Sequence, residues 1–345
     1  MPYLLKIVVR KMDKNFTVTF GIIAFNEHEH LPELLHDLLQ QTYPHKLMEV
    51  ILVDGVSNDD TKSIMTDFCE LHSGDFLSIN VLENPERIQP AGWNTVISAG
   101  TGDILLRVDA HARIPKDFVE RNVDCISSGE YVCGGLRENI IDEETPWKRT
   151  LLKVEQSMFG SGIAPYRHGE TKKYVKSVFS PAYRKEVIQN VGLFNEKLSR
   201  TEDNEYHYRV LKKGYKICYD QLIHSSYQTR NNLKDMVMQK YMNGFWIGKT
   251  LFYCPGCISV FHLVPFLFVA ALAAAAITGI VVSWVPFTVL CLTYSFVDLC
   301  ISILTTLNDD GEFYPIVLPV IFPIVHISYG LGTLNGIISG LFRKS

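Results

Sequence analysis

Between Lys249 and Asp298 the chain has no Asp, Glu, Lys or Arg, and after Ser259 it has only Asp298, Asp309, Asp310, Glu312, Arg343 and Lys344. A soluble domain carries charge on about a quarter of its residues, so the last part of this chain is built for a different solvent. A basic surplus is also missing: 33 Lys and Arg stand against 37 Asp and Glu. That balance excludes a chain whose main partner is nucleic acid. The eight cysteines follow no framework and read as reduced thiols facing the cytosol. Cys254-Pro-Gly-Cys257 has redox spacing but lacks the strand–helix context of a redox motif. Residues 1–15 interleave Lys6, Arg10 and Lys11 with apolar residues, so they read as a surface or membrane-contact segment rather than a signal peptide.

What is present divides the chain in two. From about 16 to 250 the charge density is that of a soluble protein, and from 251 to 345 it is that of a membrane region. Apolar runs at 263–282, 286–307 and 313–342 are each long enough to cross a bilayer. Three crossings from a cytosolic domain would leave Arg343 and Lys344 outside, against the positive-inside tendency. The alternative is that the third run, which holds Pro319, Pro323, Gly332 and Gly336, re-enters or lies in the interface.

The soluble part alternates strand and helix signals, which predicts an α/β fold with a mostly parallel sheet. Strands are expected at Val18–Phe25, Val50–Val53, Phe76–Leu82 and Ile104–Val108, with helices near Leu31–Gln41, after Ser57-Asn-Asp-Asp60 and from Pro90. The Ser57–Asp60 spacing is that of a capping box. Residues 136–180, rich in Gly, Lys, Arg and Tyr, read as an irregular cover over a cleft. Open α/β sheets bind ligands beyond the carboxyl ends of their strands, and two acids, Asp54 and Asp109, sit at such ends. In extended chain, residues i and i+2 share a face, so Asp109 and His111 can point at one divalent cation. Carboxylate oxygen suits Mg²⁺ or Mn²⁺, and imidazole favours Mn²⁺. The plainer alternative is a strand-end acid beside a surface histidine.

Five pieces occur in order: Phe25-Asn26-Glu27, LVDGVSNDDT (52–61), NPERIQPAGWN (84–94), GDILLRVDAHA (102–112) and RTEDNEY (200–206). Together they resemble glycosyltransferase family 2, inverting enzymes of GT-A fold, and more narrowly its exopolysaccharide (succinoglycan-type) branch. His326–Gly332 (HISYGLG) is also like that branch. The resemblance implies a Rossmann-like nucleotide-diphospho-sugar domain followed by transmembrane helices. By matching position, it implies that Glu27, Asp54, Arg87, Asn94 and Asp109 face the donor, with Gly55 replacing the second acid of the family's V-D-D-G-S. Asp59 and Thr61 match the tail of that motif or simply cap a helix. Asp109 and His111 match the metal site, and His224 a further ligand or a structural histidine. Thr201-Glu202-Asp203 matches the motif that carries the catalytic base, Asp203, with Glu202 beside it. Gln239 to Trp246 stands where processive synthases carry Q-x-x-R-W, here with Met242 and Asn243 in place of the Arg-Trp pair. Gln239, Trp246 and Arg230 are thus expected on the acceptor side, and Lys234, Lys240 and Lys249 near lipid head groups.

The chemistry explains such a set. Departure of a nucleoside diphosphate builds negative charge that a cation stabilises, and the attacking hydroxyl needs a carboxylate to take its proton. The expected protein is a multi-pass enzyme of the cell membrane with its catalytic domain in the cytoplasm. It would use Mn²⁺ or Mg²⁺ to move a sugar from a UDP-sugar to a polyprenyl-diphosphate-linked saccharide during surface polysaccharide assembly. A processive synthase and a non-catalytic nucleotide-binding scaffold are the alternatives.

Overall fold

A computed structural model describes residues 15–157, 159–160, 172–307 and 311–342. The expected N-terminal contact segment and the basic pair Arg343–Lys344 lie outside these residues, apart from position 15. The chain opens with β1 (Val18–Ala24), α1 (Leu31–Leu39), β2 (Met48–Asp54), α2 (Thr61–His72), β3 (Ser78–Glu83), α3 (Gln89–Ala99) and β4 (Ile104–Asp109). These four strands pair in parallel in the order β3-β2-β1-β4. All seven residues of β2 are buried, because helices cover both faces of a parallel sheet and its strands read as unbroken apolar runs. On α1, Leu31, Leu34, Leu35 and Leu38 are buried at helical spacing, packing with Phe20 and Ile22 on one face of the sheet. Trp93 and Val96 of α3 pack with Ile51 and Val53 on the other face.

The second half extends the same sheet with mixed pairing. It comprises β5 (Ala112–Arg113), α4 (Phe118–Ser127), β6 (Val132–Ile140), α5 (Pro146–Gln156), β7 (Lys173–Val175), β8 (Phe179–Arg184), α6 (Lys185–Val191), α7 (Glu202–Lys212) and β9 (Ile217–Gln228). β8 joins β4 antiparallel, and the path continues β8-β6-β9-β5, with β7 beside β9. The expectation of an irregular cover at 136–180 is therefore corrected. Its described part is largely strand and helix, and only Arg137, Asn139, Glu155 and Val178–Ser180 of it reach the cleft described below.

Helix α8 (Leu233–Thr250) ends the sheet-bearing part and leads to α9 (Val260–Val281), α10 (Val285–Leu307) and α11 (Leu318–Leu341). The last three are long and apolar enough to cross a membrane. They differ in setting: α9 buries only Gly279, whereas α11 buries eight residues, among them Leu318, Phe322 and Thr333.

Two side chains of the notable motifs turn out to be pins within the fold. Asn94 on α3 is buried, and its amide is spent on the 194–196 loop: it accepts the Phe194 N–H at 2.8 Å and donates to Phe194 O at 3.0 Å and Glu196 Oε1 at 2.8 Å. The capping box expected at Ser57–Asp60 is not formed, since the N-cap Asp60 makes no side-chain cap bond. Ser57 Oγ instead accepts the Asn26 N–H at 3.0 Å. Replacing Asn94 by alanine strands the Phe194 amide, so Asn94→Ala is expected to cost roughly 1–3 kcal/mol, read as a lowered Tm in detergent.

Candidate active site

Past the carboxyl ends of the parallel strands lies a cavity of about 630 Å³, of a size that holds a small ligand. Its rim is built from loops whose backbones are held in an unusual state. Asn26, Val56, Arg87 and Ser180 are the non-glycine residues with positive φ among the described residues (56°, 60°, 56° and 44°). Each lines the cavity or adjoins a residue that does. Left-handed backbone outside glycine costs energy and persists where the surroundings force it, which marks functional loops.

The loops after β1 and β2 are stitched together. Thr61 Oγ1 accepts the Glu27 N–H at 2.8 Å, Asn26 Oδ1 accepts the Asn58 N–H at 2.8 Å, and His28 bonds Asp59 at 2.7 Å. Asp54 is buried and spends its carboxylate on the Ser57 N–H at 3.2 Å, so it supports the rim rather than lining the cavity. Glu27 does line it, and its Oε1 lies 3.1 Å from His111 Nδ1. Together Asp109, His111 and Glu27 offer oxygen and nitrogen donors of the kind Mn²⁺ takes. Among the described residues no group of three or more His, Cys, Asp or Glu is placed to hold an ion by itself.

Arg107 ties the two sides of the cavity together. It is 8% exposed and lies with its guanidinium 4.5 Å over Trp93 and 5.5 Å from Phe194. Its Nη2 sits 2.9 Å from Glu202 Oε1 and 3.9 Å from Asp109 Oδ1. The first turn of α7 is thereby drawn to the end of β4, and Asp109, Glu202 and Asp203 face one cavity. Burial pushes the Glu202 carboxyl up to about 7, with Arg107 opposing and Asp203 adding to the shift. Burial also raises Asp203, again against Arg107. Thr201 does not cap α7 with its side chain; its hydroxyl meets Thr250 at 2.6 Å. His207, one turn on, is held between Ser177 and Tyr183 at 2.9 Å each, and burial, reinforced by Arg107, pushes it down to about 3. A neutral, fully engaged imidazole is no base.

The far wall comes from β6, β9 and α8. Arg137 stacks over Tyr227 at 4.5 Å and Phe179 at 5.0 Å, and His111 meets Tyr227 edge-on. Gln239 bonds the Tyr227 hydroxyl at 3.2 Å, and Trp246, Arg200 and Arg230 complete this side. Lys240 faces inward rather than toward head groups: it is 6% exposed and paired with Glu155 at 2.6 Å. His224 is exposed, 4.0 Å from Glu138 and outside the cavity lining, so it stands apart from Asp109 and His111. Arg107 was missed in the sequence although a signal existed, since in a strand it shares the face of Asp109 two residues on. Glu155 gave no such signal.

The family model for glycosyl transferase family 2 matches residues 19–192, which carry Glu27, Asp54, Arg107, Asp109 and His111. The chain belongs to glycosyl transferase family 2. Within it, the chain is 25% identical over 327 residues to the dolichyl N-acetyl-α-D-glucosaminyl phosphate 3-β-D-2,3-diacetamido-2,3-dideoxy-β-D-glucuronosyltransferase of Methanococcus voltae, covering 94% of this chain and 98% of that one. It is 28% identical over 266 residues to the succinoglycan biosynthesis protein ExoA of Rhizobium meliloti, covering 75% and 77% of the two chains. The mannosyltransferase PcManGT of Pyrobaculum calidifontis, solved with GDP-Man and Mn²⁺, shares the fold. Its TM-score is 0.60 at 17% identity, over 92% of this chain and 87% of that one. As a family 2 member with this GT-A-like domain, the protein is a glycosyltransferase.

Arg107→Met leaves Glu202 buried without its cation, and is expected to destabilise the protein by about 3–5 kcal/mol. The double change Arg107→Met with Glu202→Gln removes both charges and should recover much of that loss. Thermal unfolding of the three proteins in one detergent checks both expectations.

Proposed function

We propose that this family 2 enzyme transfers one sugar, with inversion, from a UDP-sugar to a saccharide carried on a polyprenyl diphosphate, at the cytoplasmic face of the cell membrane during surface polysaccharide assembly. The observation that carries the reading is the convergence of Asp109 and Asp203 on one cavity, with Arg107 between them. Asp203 is the base that takes the acceptor hydroxyl's proton, and a raised carboxyl is better matched to that task than an ordinary aspartate. Glu202, committed to Arg107, is a positioning residue.

On the donor side, Asp109 and His111, with Glu27 behind His111, would hold Mn²⁺ or Mg²⁺. The cation would neutralise charge on the departing diphosphate. Arg87 lines the same side and adds positive charge there. Asp54 and Asn94 act through the loops they pin. On the acceptor side, Gln239, Trp246 and Arg230 line the wall nearest the apolar helices. The relative from Methanococcus voltae is named for a dolichyl-linked sugar phosphate, which supports a lipid-borne acceptor, and ExoA for succinoglycan biosynthesis, which supports a role in polysaccharide assembly. Transfer of a single sugar is favoured over processive synthesis because Met242 and Asn243 stand where the Arg-Trp pair of processive enzymes would be.

Three measurements test this. Asp109→Asn and Asp203→Asn are each expected to lower kcat by about 10²–10⁴-fold with the fold retained by circular dichroism, and transfer surviving both changes overturns the reading. Purified protein given UDP- and GDP-sugars with Mn²⁺ or Mg²⁺ should release free nucleotide slowly from a UDP-sugar. Release from GDP-mannose alone would move the donor to the class seen with PcManGT. The acid limb of kcat/KM reports the carboxylate at 203, so activity falls as pH drops through its raised pKa. Glu202→Gln releases Arg107 from its ion pair, and the guanidinium, which opposes the rise at Asp203, then shifts that limb to lower pH. An unmoved limb would remove Asp203 from the role of base.

A further inference from the structure

Helices α8 and α11 are joined backbone to backbone along most of their length. Ser328 donates to Val237 O at 3.0 Å, and Asn335 donates to the Tyr241 hydroxyl at 2.6 Å. A methyl group on Gly332 would overlap the carbonyl of Tyr241, one on Gly336 that of Phe245, one on Gly244 that of Tyr329, and one on Gly248 that of Thr333. The partners advance together in sequence, so the two helices run in the same direction in fixed register. The first half of α11 is covered by the sheet-bearing part: Leu318, Ile321, Phe322 and Val325 cluster with Leu151 and Val154 of α5 and Met236 of α8.

Helix α8 cannot enter hydrocarbon. Lys234, Asp235, Lys240 and Lys249 lie on it, and Gln239, Lys240, Asn243 and Trp246 line the polar cavity. Charges and polar cleft residues at bilayer depth are disfavoured, and α11 must share the depth and direction of the helix it is locked to. The opposite side of α11 carries exposed Val320, Ile324, Ile327, Leu331, Leu334, Ile338 and Leu341. Their steps of three and four residues make one continuous apolar stripe. Helix α9, whose surface is likewise exposed and apolar, meets α11 where a methyl group on Gly330 would overlap the carbonyl of Pro265. With one side of α11 covered by the sheet-bearing part and the other left as an apolar stripe, the helix sits at the boundary between that part and lipid.

We propose that α11 does not cross the bilayer: it lies along the membrane surface beneath the cleft, with its stripe against the lipid, and α9 and α10 alone enter as a hairpin. The end of α11 then lies on the side of the sheet-bearing part, and the basic pair that follows it in the sequence accords with the positive-inside tendency. This inference rests on membrane attachment and not on the sugar-transfer reading.

The test is one of parity. An epitope appended after Ser345 and, in a second version, the same epitope inserted in the exposed turn at Ser73-Gly74 are followed by protease digestion in sealed vesicles of each orientation. The expected result is that both epitopes are cleaved in the same vesicle population and protected in the other. Protection of the C-terminal epitope where the Ser73-Gly74 epitope is cleaved means that α11 crosses, and overturns the proposal. Sugar transfer is assayed in the same vesicles, so a protein with same-side epitopes and no transfer counts against the proposed function and leaves the topology standing.

Discussion

One buried guanidinium organises the catalytic face. Arg107 sits on β4 two residues before Asp109, stacked on Trp93 and Phe194, and its contact with Glu202 fixes where α7 begins. A charge taken this far from water is tolerated only if paired and hydrogen-bonded, so the strand end and the helix start must stay together for the fold to be stable. Asp109 and Asp203 come from segments far apart in the chain, and this ion pair is what makes their proximity obligatory. The cost of burying it is offset by its ion pair with Glu202 and by the aromatic faces around it.

Much of the fold was legible in the sequence because its first half obeys simple rules. Continuous apolar strands, a leucine face at helical spacing on α1 and acids at strand ends place β1 to β4 without any three-dimensional knowledge. The second half resisted because β8 enters the sheet antiparallel between β4 and β6, and this stretch is rich in Gly, Lys, Arg and Tyr instead of periodic apolar residues. Motif position also failed to tell where side chains point. Asn94 and Asp54 lie in matching stretches, yet Asp54 spends its carboxylate on a backbone amide and Asn94 its amide on the 194–196 loop. Glu27, Arg87 and His111, by contrast, line the cavity because they stand on loops whose backbone is held left-handed or stitched to its neighbour. Lys240 read as a membrane-flanking cation since nothing in the sequence announces Glu155 as its partner.

Helix α8 belongs to two structures at once. One side contributes Gln239, Lys240, Asn243 and Trp246 to the cleft, and another presents Gly244 and Gly248 to α11. Contacts made through main-chain atoms have no rotamers to adjust, so a shift of α11 is passed directly to the cleft wall. The cleft wall formed by α8 and helix α11 are in this sense a single rigid part.

The α9–α10 hairpin has the opposite character. It leaves the α8 end of the wall and returns to α11, and its turn around Val282–Val285 is closed within the hairpin, where Trp284 packs on Gly279 and Phe287. Paired helical turns could be added or removed at that tip without altering a single cleft residue. With α9 and α10 as the membrane hairpin proposed above, matching to bilayers of different thickness is uncoupled from the cleft, and the depth of the anchor can change while the cleft stays fixed.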